Sequence, residues 1–247
     1  MNCVRFAHWK IFLVMFSALE FNCVAADKDF FAEGASAFES GQFAEAAQDF
    51  RADAGTQPAV GTLVNLGLAE WRRGRTGEAI LAWEQASWID SFNSSAPRNL
   101  QYARDFAGLE PPDYSWNERV STWLPVNAWA WLTGGSLWLA TGMAVLPRVL
   151  RRHKSGWHQA LAALGLALFL LSLPAQFGVF TRTKIGFVLQ KDTPLCLTPT
   201  AESEVIAKLD SGTPVRELRS RGGFVFVRTS HGQGWVARNK FGRVCPE

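Results

Sequence analysis

Few side chains in this sequence have a type and spacing that could perform chemistry. After the first 26 residues, the candidates are His153, His158, His231, Cys196 and Cys245, which are dispersed along the chain. The sequence contains no paired acids, no metal-ligand spacing and no nucleophile beside a base that could activate it. It therefore predicts a protein that is not an enzyme and that has no catalytic residues, cofactor or metal.

The two cysteines near the C-terminus are the strongest candidates for covalent chemistry. Cys3 and Cys23 precede position 26, so a chain cleaved there would keep only Cys196 and Cys245. In an oxidising compartment such a pair favours a disulfide, which would close a loop of about fifty residues and stabilise the fold by ~4 kcal/mol. A redox-active thiol is the alternative, but it has no Cys-x-x-Cys motif and only a lone His231 to support it. We expect the disulfide.

The elements that must position these residues begin with two apolar stretches in the middle of the chain. Residues 125–147 and 156–180 contain no Asp, Glu, Lys or Arg. Each is long enough, at ~1.5 Å per residue, to cover the ~30 Å hydrocarbon core of a bilayer. Because backbone hydrogen bonds cannot be left open in lipid, both stretches are expected to be helices. The sequence thus predicts a two-helix transmembrane hairpin whose flanking segments share one compartment.

Basic residues in the turn between the two stretches predict its orientation. The turn, residues 148–155, contains Arg148, Arg151, Arg152 and Lys154, whereas the outer flanks carry fewer cations. The positive-inside rule places such a turn in the cytoplasm. The flanking domains are then expected in the periplasm of a bacterium, attached to the inner membrane.

The N-terminus has the pattern of a signal peptide. Basic residues precede an apolar run at residues 11–19, and Val24-Ala25-Ala26 provides small residues for cleavage. We therefore expect residues 1–26 to be removed. An uncleaved anchor is the alternative, although the apolar run is short and is followed directly by Glu20.

Residues 27–110 contain an internal repeat. One set of small and aromatic residues recurs 33 positions later along the chain. The first set is Gly34, Gly41, Ala46 and Phe50, and the second is Gly67, Gly74, Ala79 and Trp83, followed by Ala86. Small residues let two antiparallel helices approach, the middle glycine ends the first helix, and the aromatic ring fills the remaining space. The spacing predicts helix-turn-helix units.

These repeats resemble the tetratricopeptide (TPR) family. The resemblance implies a concave helical surface that binds a segment of another protein and performs no chemistry. A third helix is expected to close the stack over residues 97–106, with Leu100, Ala103 and Phe106 or Ala107 along its buried face. A purely structural role for the repeats is the alternative.

Residues 111–124 connect the repeats to the first apolar stretch. After two prolines, Ser115 and Glu118 have the spacing of a capping box that starts a helix. Trp116 and Trp123 would follow on this helix and place their indoles at the level of lipid headgroups. We expect an interfacial helix, and a plain linker is the alternative.

Residues 184–247 change to short alternating runs of β-branched residues and glycine. About five short strands in about sixty residues predict a small all-β barrel. The run that ends in Gly234, Trp235 and Val236 resembles the bacterial SH3-like family. That resemblance implies a barrel that binds cell-wall peptides or proteins, with Trp235 in its core. Four arginines are expected on one face: Arg216, Arg219, Arg221 and Arg228.

Charge is distributed unevenly along the chain. Residues 27–118 hold 15 acids and seven Lys or Arg, whereas residues 182–247 hold 11 Lys or Arg and six acids. Such asymmetry could draw the two domains together or give them partners of different charge.

The order of these segments predicts a multi-domain membrane protein: signal peptide, all-α TPR-like repeat, transmembrane hairpin and small all-β SH3-like barrel. This order resembles the BatE-like TPR proteins of the aerotolerance operon. The resemblance implies a non-enzymatic inner-membrane scaffold that acts with von Willebrand-type membrane proteins in an envelope or oxidative-stress role. The alternative is a cell-wall-binding sensor whose barrel reads peptidoglycan peptides. Neither interpretation involves nucleic acid.

Overall fold

The computed structural model describes residues 29–56, 58–149, 156–200 and 202–245. The expected signal peptide, residues 1–26, lies outside these ranges, as do Arg151, Arg152 and Lys154 of the basic turn and the side chain of Arg148. The described residues form eight α-helices and one antiparallel sheet of seven strands.

The first part of the chain is a stack of five helices in which each helix packs against the next. Short turns at Gly41 and Gly74 join two pairs of helices, and both glycines have a positive φ, 77° and 75°, which other residues rarely adopt. Phe50 and Trp83 lie in the buried core of the stack. The helices are α1 (Phe30–Glu39), α2 (Phe43–Thr56), α3 (Val60–Arg72), α4 (Thr76–Ile89) and α5 (Ser95–Ala107).

Glycines allow the helices of each pair to approach closely. Gly34 of α1 lies against the ring of Phe50 of α2, and Gly67 of α3 lies against the indole of Trp83 of α4. A Cβ atom at Gly67 would overlap this indole, whose Nε1 donates a hydrogen bond to the backbone oxygen of Val64 over 3.1 Å. The two glycine–aromatic pairs therefore lie at equivalent helix contacts, 33 residues apart in the chain.

Three helices follow the stack, and the last two form a long antiparallel hairpin. Gly165 approaches the backbone of the neighbouring helix, and the hydroxyl of Thr133 donates a hydrogen bond to that of Ser172 over 2.9 Å. The helices are the short α6 (Trp116–Ser121), then α7 (Val126–Val149) and α8 (Gly156–Arg182). α6 packs against the end of α8, where Gly178 lies against the backbone of Asn117.

The expectation of two transmembrane helices is wrong. Among the described residues, α8 is the one helix that is long and apolar enough to cross a membrane. Leucine, alanine and phenylalanine dominate α8, whereas α7 contains asparagine, threonine, serine and three tryptophans, which favour hydrocarbon much less. The expected hairpin rested on the absence of charged residues. That absence does not by itself make a stretch apolar enough to span a membrane.

The C-terminal part of the chain forms the sheet. Its strands are β1 (Ile185–Val188), β2 (Thr193–Cys196), β3 (Val205–Leu209), β4 (Pro214–Arg221), β5 (Phe224–Thr229), β6 (Gly232–Ala237) and β7 (Phe241–Arg243). They are arranged in the order β3-β2-β6-β5-β4-β1-β7, and all pairs are antiparallel. Because β3 and β7 lie at opposite ends of this order, the sheet is open. The expected closed SH3-like barrel is therefore wrong, since local strand signals do not reveal which strands meet.

The sheet packs directly against the helical stack. Ile185 and Phe187 of β1 and Val244 after β7 belong to the same buried core as the helices. Gly77, at the start of α4, lies so close to the carbonyl oxygen of Val188 that a Cβ atom there would overlap it. The stack and the sheet thus share a core and hold each other in place.

Candidate functional site

Three aromatic side chains from α3 and α5 form an exposed cluster. Trp71, near the end of α3, contacts Tyr102 and Phe106 of α5 with ring centroids 5.9 Å and 5.6 Å away. The rings of Tyr102 and Phe106 stack on each other at 6.4 Å, and these side chains are 62% and 74% exposed. We call these three residues the aromatic cluster.

The aromatic cluster has a rigid base. α5 buries Ala96, Leu100 and Ala103, and its two exposed aromatics, one helical turn apart, lie on the adjacent side of the helix, where they contact Trp71. Behind the cluster, the ring of Trp71 lies 6.1 Å from that of the buried Trp83. The rings are therefore held by packed helices and not by a loop.

The residues of the sequence repeat serve helix packing. The four glycines, Gly34, Gly41, Gly67 and Gly74, lie at helix contacts or in turns. Five other repeat residues are buried: Ala46, Phe50, Ala79, Trp83 and Ala86. The repeat therefore positions the helices that carry the aromatic cluster but contributes no exposed side chain to it.

Two buried glutamates link neighbouring helices of the stack. Glu70 of α3 pairs with Arg51 of α2 and with Arg73, the latter over 2.9 Å. Glu84 of α4 pairs with Arg104 of α5. Burial raises the pKa of Glu84, because desolvation disfavours the carboxylate more than Arg104 favours it. Removing Arg104 would leave the buried Glu84 without its ion-pair partner, whereas Glu70 would keep one arginine after the loss of the other.

Glu118 joins the segment before the hairpin to the sheet. Its two carboxylate oxygens accept hydrogen bonds from the two terminal nitrogens of Arg216 on β4, over 2.6 Å and 2.9 Å. The backbone N–H of Ser115 donates to the same carboxylate over 2.9 Å. Burial alone would raise the pKa of Glu118, but these hydrogen bonds lower it to about 2. The carboxylate of Glu118 thus has two roles: it caps the start of α6 by accepting from Ser115, and it forms the ion pair between α6 and β4.

Arg182, the last residue of α8, is buried beside this ion pair. Its guanidinium lies over the rings of Trp88 and Tyr114, 4.9 Å and 5.6 Å from their centroids. It also donates a hydrogen bond to the hydroxyl of Ser121 over 3.3 Å. Burial raises the pKa of Tyr114, so its phenol is neutral at physiological pH. Arg182 thereby attaches α8 to both the helical stack and α6.

An open cleft of ≈ 1090 Å³ lies between residues 108–115 and the sheet. Its walls carry charges of both signs: Glu110, Asp113, Asp210, Arg119 and Arg228. The described ranges contain no group of three or more His, Cys, Asp or Glu side chains that could hold a metal ion. The cleft therefore suits a polar ligand that carries both positive and negative groups.

The sheet does not bring the two predicted disulfide cysteines together. Cys196 ends β2, whereas Cys245 follows β7, five places away in the strand order. Cys245 instead packs against the core of the helical stack. No disulfide joins the two cysteines in this structure, and their pairing stays a prediction.

The run Gly234, Trp235 and Val236, which resembles the SH3-like family, lies on β6, and its two larger side chains point to opposite faces of the sheet. Val236 is buried in the core of the sheet. Trp235 lies on the other face, where its ring is 5.1 Å from that of Phe226 and the guanidinium of Arg219 covers both rings at 5.3 Å and 4.7 Å. Gly234 allows β6 to approach the backbone oxygen of Cys196. Trp235 is therefore buried by an arginine on the outer face of the sheet and not by a barrel interior.

The aromatic cluster differs from what the periodicity of α5 predicts. That periodicity places Phe106 or Ala107 on the buried face, but both are exposed. Leu100 and Ala103 already lie on the buried face of α5. The spacing of Tyr102 and Phe106 is the signal that could have revealed the cluster, since side chains four positions apart share a helix face.

No family model, curated protein or solved structure matches this chain.

Proposed function

We propose that this protein is a non-enzymatic scaffold at a membrane and that its helical stack binds a segment of a partner protein. The observation that carries this proposal is the aromatic cluster, in which Tyr102 and Phe106 expose more than half of their surface side by side. Adjacent exposed aromatic rings are typical of protein-binding sites, where a few such residues supply most of the binding energy. The packed base of the cluster also reduces the entropy that binding would cost.

Membrane attachment through α8 is part of this proposal. Leucines along α8 are exposed, among them Leu166, Leu170 and Leu171. The stack and the sheet share one core, so both lie on the same side of the membrane to which α8 attaches the protein. Trp116 of α6 and Trp123, two residues after its end, are 67% and 69% exposed, and α6 packs against the end of α8. Indoles at this position would meet lipid headgroups.

The compartment and the partner rest on sequence resemblance. We propose the inner membrane of a bacterium, with the stack and the sheet in the periplasm. The resemblance to BatE-like proteins implies von Willebrand-type membrane proteins as partners and an envelope or oxidative-stress role. Alkaline phosphatase fused after the last strand, β7, should be active if the sheet is periplasmic, and an inactive fusion would exclude that location.

The aromatic cluster can be tested by purifying the full-length protein and its variants from mild detergent. Combined Tyr102→Ala and Phe106→Ala changes should reduce recovery of a bound membrane protein at least ~10-fold, as measured by mass spectrometry, because hot-spot truncations commonly cost 2 kcal/mol or more. Phe92→Ala is the matched control, since Phe92 is 69% exposed but lies in the loop after α4. Equal recovery by all three proteins would contradict the proposal.

The cleft favours a second function, that of a cell-wall-binding sensor. Peptidoglycan stem peptides carry amino and carboxylate groups, and the cleft offers Asp113 and Asp210 together with Arg119 and Arg228. The full-length protein in detergent would then sediment with purified sacculi, and Arg228→Gln would weaken this binding. Sedimentation that Arg228→Gln leaves unchanged would exclude the cleft as the binding site.

A further inference from the structure

The outer face of the sheet, opposite its buried core, is basic. Alternate residues of β5 point into the core, so the others, which include Phe226 and Arg228, point outward. The register of β4 with β5 places Arg219 beside Phe226 and Arg221 beside Phe224. All three arginines are exposed. We call Arg219, Arg221 and Arg228 the basic face.

Among the described residues, no ion pair neutralises the basic face. Arg216, which lies across from Arg228 in the register of β4 and β5, pairs with Glu118, and Arg243 pairs with Glu217. In the part of the chain that the structure describes, the three arginines of the basic face form no ion pair with a carboxylate. Arg219 lies over two aromatic rings instead, which restrains its guanidinium and so reduces the entropy lost when a carboxylate binds.

An acidic surface lies on the first two helices of the stack. The 22 residues from Asp29 to Phe50 contain no Lys or Arg but five acids: Asp29, Glu33, Glu39, Glu45 and Asp49. We call this segment the acidic hairpin. Glu39 and Glu45 are exposed, and neither forms an ion pair with another described residue. The sheet packs against α4, whereas the acidic hairpin occupies the start of the stack.

We propose that the basic face of one molecule binds the acidic hairpin of a second copy. The two surfaces lie on different parts of the molecule, so the contact is head-to-tail and each copy binds two neighbours. Repetition of this contact forms a ring or a row of molecules. Exposed charges attract each other over ~10 Å at 0.1 M salt but only over ~3 Å at 1 M salt, so the association weakens as salt is added. It needs no other protein and does not depend on what the aromatic cluster binds.

The first test is sedimentation velocity of the full-length protein, alone in a non-ionic detergent. The sedimentation coefficient should rise with protein concentration at about 0.05 M salt and fall to the value of one copy at about 1 M salt. A chain that remains a single copy at low salt overturns the proposal.

Charge reversal then identifies the surfaces. Arg219→Glu with Arg221→Glu makes the basic face acidic. Glu33→Lys, Glu39→Lys and Glu45→Lys together change the charge of the acidic hairpin from −5 to +1 and so make it basic. Each of these two variants alone should remain a single copy at low salt, because its two surfaces then carry the same sign. A mixture of the two variants should associate again, since every contact in the mixture joins opposite charges. Failure of the mixture to associate overturns the proposed pairing.

A matched control separates a local effect from a change in net charge. Arg98→Glu with Arg238→Glu alters the net charge by the same amount as the reversal of the basic face, at two exposed positions outside both surfaces. This control variant should associate like the wild type. If it also remains a single copy, net charge rather than the basic face governs association, and the proposal is overturned.

Discussion

Glu118 has two partners that both require its charged form. It accepts hydrogen bonds from the backbone N–H of Ser115 and from the guanidinium of Arg216. Glu118→Gln keeps the shape of the side chain but leaves the partly buried Arg216 without a counter-ion. We expect this change to lower the free energy of unfolding by about 2 kcal/mol at pH 7, because hydrogen bonds to charged groups are the stronger ones. The thermal midpoint, followed by circular dichroism in detergent, would measure it.

The effect of Glu118→Gln should disappear in acid. A carboxyl whose pKa is lowered by folding contributes stability above its unfolded pKa of 4.5, and this contribution is lost as the pH falls through its folded pKa of about 2. The thermal midpoints of wild type and variant should therefore differ at neutral pH and converge between pH 4.5 and about 2. Glu204→Gln, at an exposed position, should match the wild type throughout. A difference that persists at pH 2 would show that charge is not the cause.

At the scale of the element, the contact between α3 and α4 depends on the missing side chain of Gly67. A methyl group there would overlap the indole of the buried Trp83, so Gly67→Ala should lower the free energy of unfolding by about 2 kcal/mol. Gly61→Ala, on the same helix, is the control, because no atom lies within 4 Å of the Cβ it would add. It should raise stability by ~0.5–1 kcal/mol, since alanine favours helices. Thermal unfolding that shifts in the same direction for both variants would contradict this account.

Local patterns predict contacts between neighbouring helices better than they predict which side of a helix is buried. The offset of 33 residues relates Gly34 and Phe50 to Gly67 and Trp83, and each glycine lies against its aromatic partner. Phe106 is different: periodicity assigns it to a buried face, yet that face ends before it, because burial depends on which neighbour lies opposite. The same limit applies to α7, whose lack of charged residues says nothing about how apolar its composition is.

At the scale of the whole molecule, local sequence patterns do not predict which distant strands pair or which distant segments pack together. The order of seven strands, the open edge and the separation of Cys196 from Cys245 depend on pairing between residues far apart in the chain. Uneven charge did predict either attraction or separate partners for the two domains. Among the described residues, Glu118 and Arg216 form an ion pair that joins the acidic and the basic segment. The larger part of the contact between the stack and the sheet is apolar, and no local motif indicates it.

That apolar contact predicts that the stack and the sheet unfold together. Phe187 of β1 is fully buried in the core that also contains the helices of the stack, so Phe187→Ala should cost about 4 kcal/mol. Because the core is shared, amide hydrogen exchange should accelerate in α4 and in β5 to the same extent. Leu218→Ala is the control, since Leu218 is 40% exposed on β4, and it should leave exchange in α4 unchanged. Faster exchange in β5 without any change in α4 would mean that the two parts fold independently, each with a core of its own.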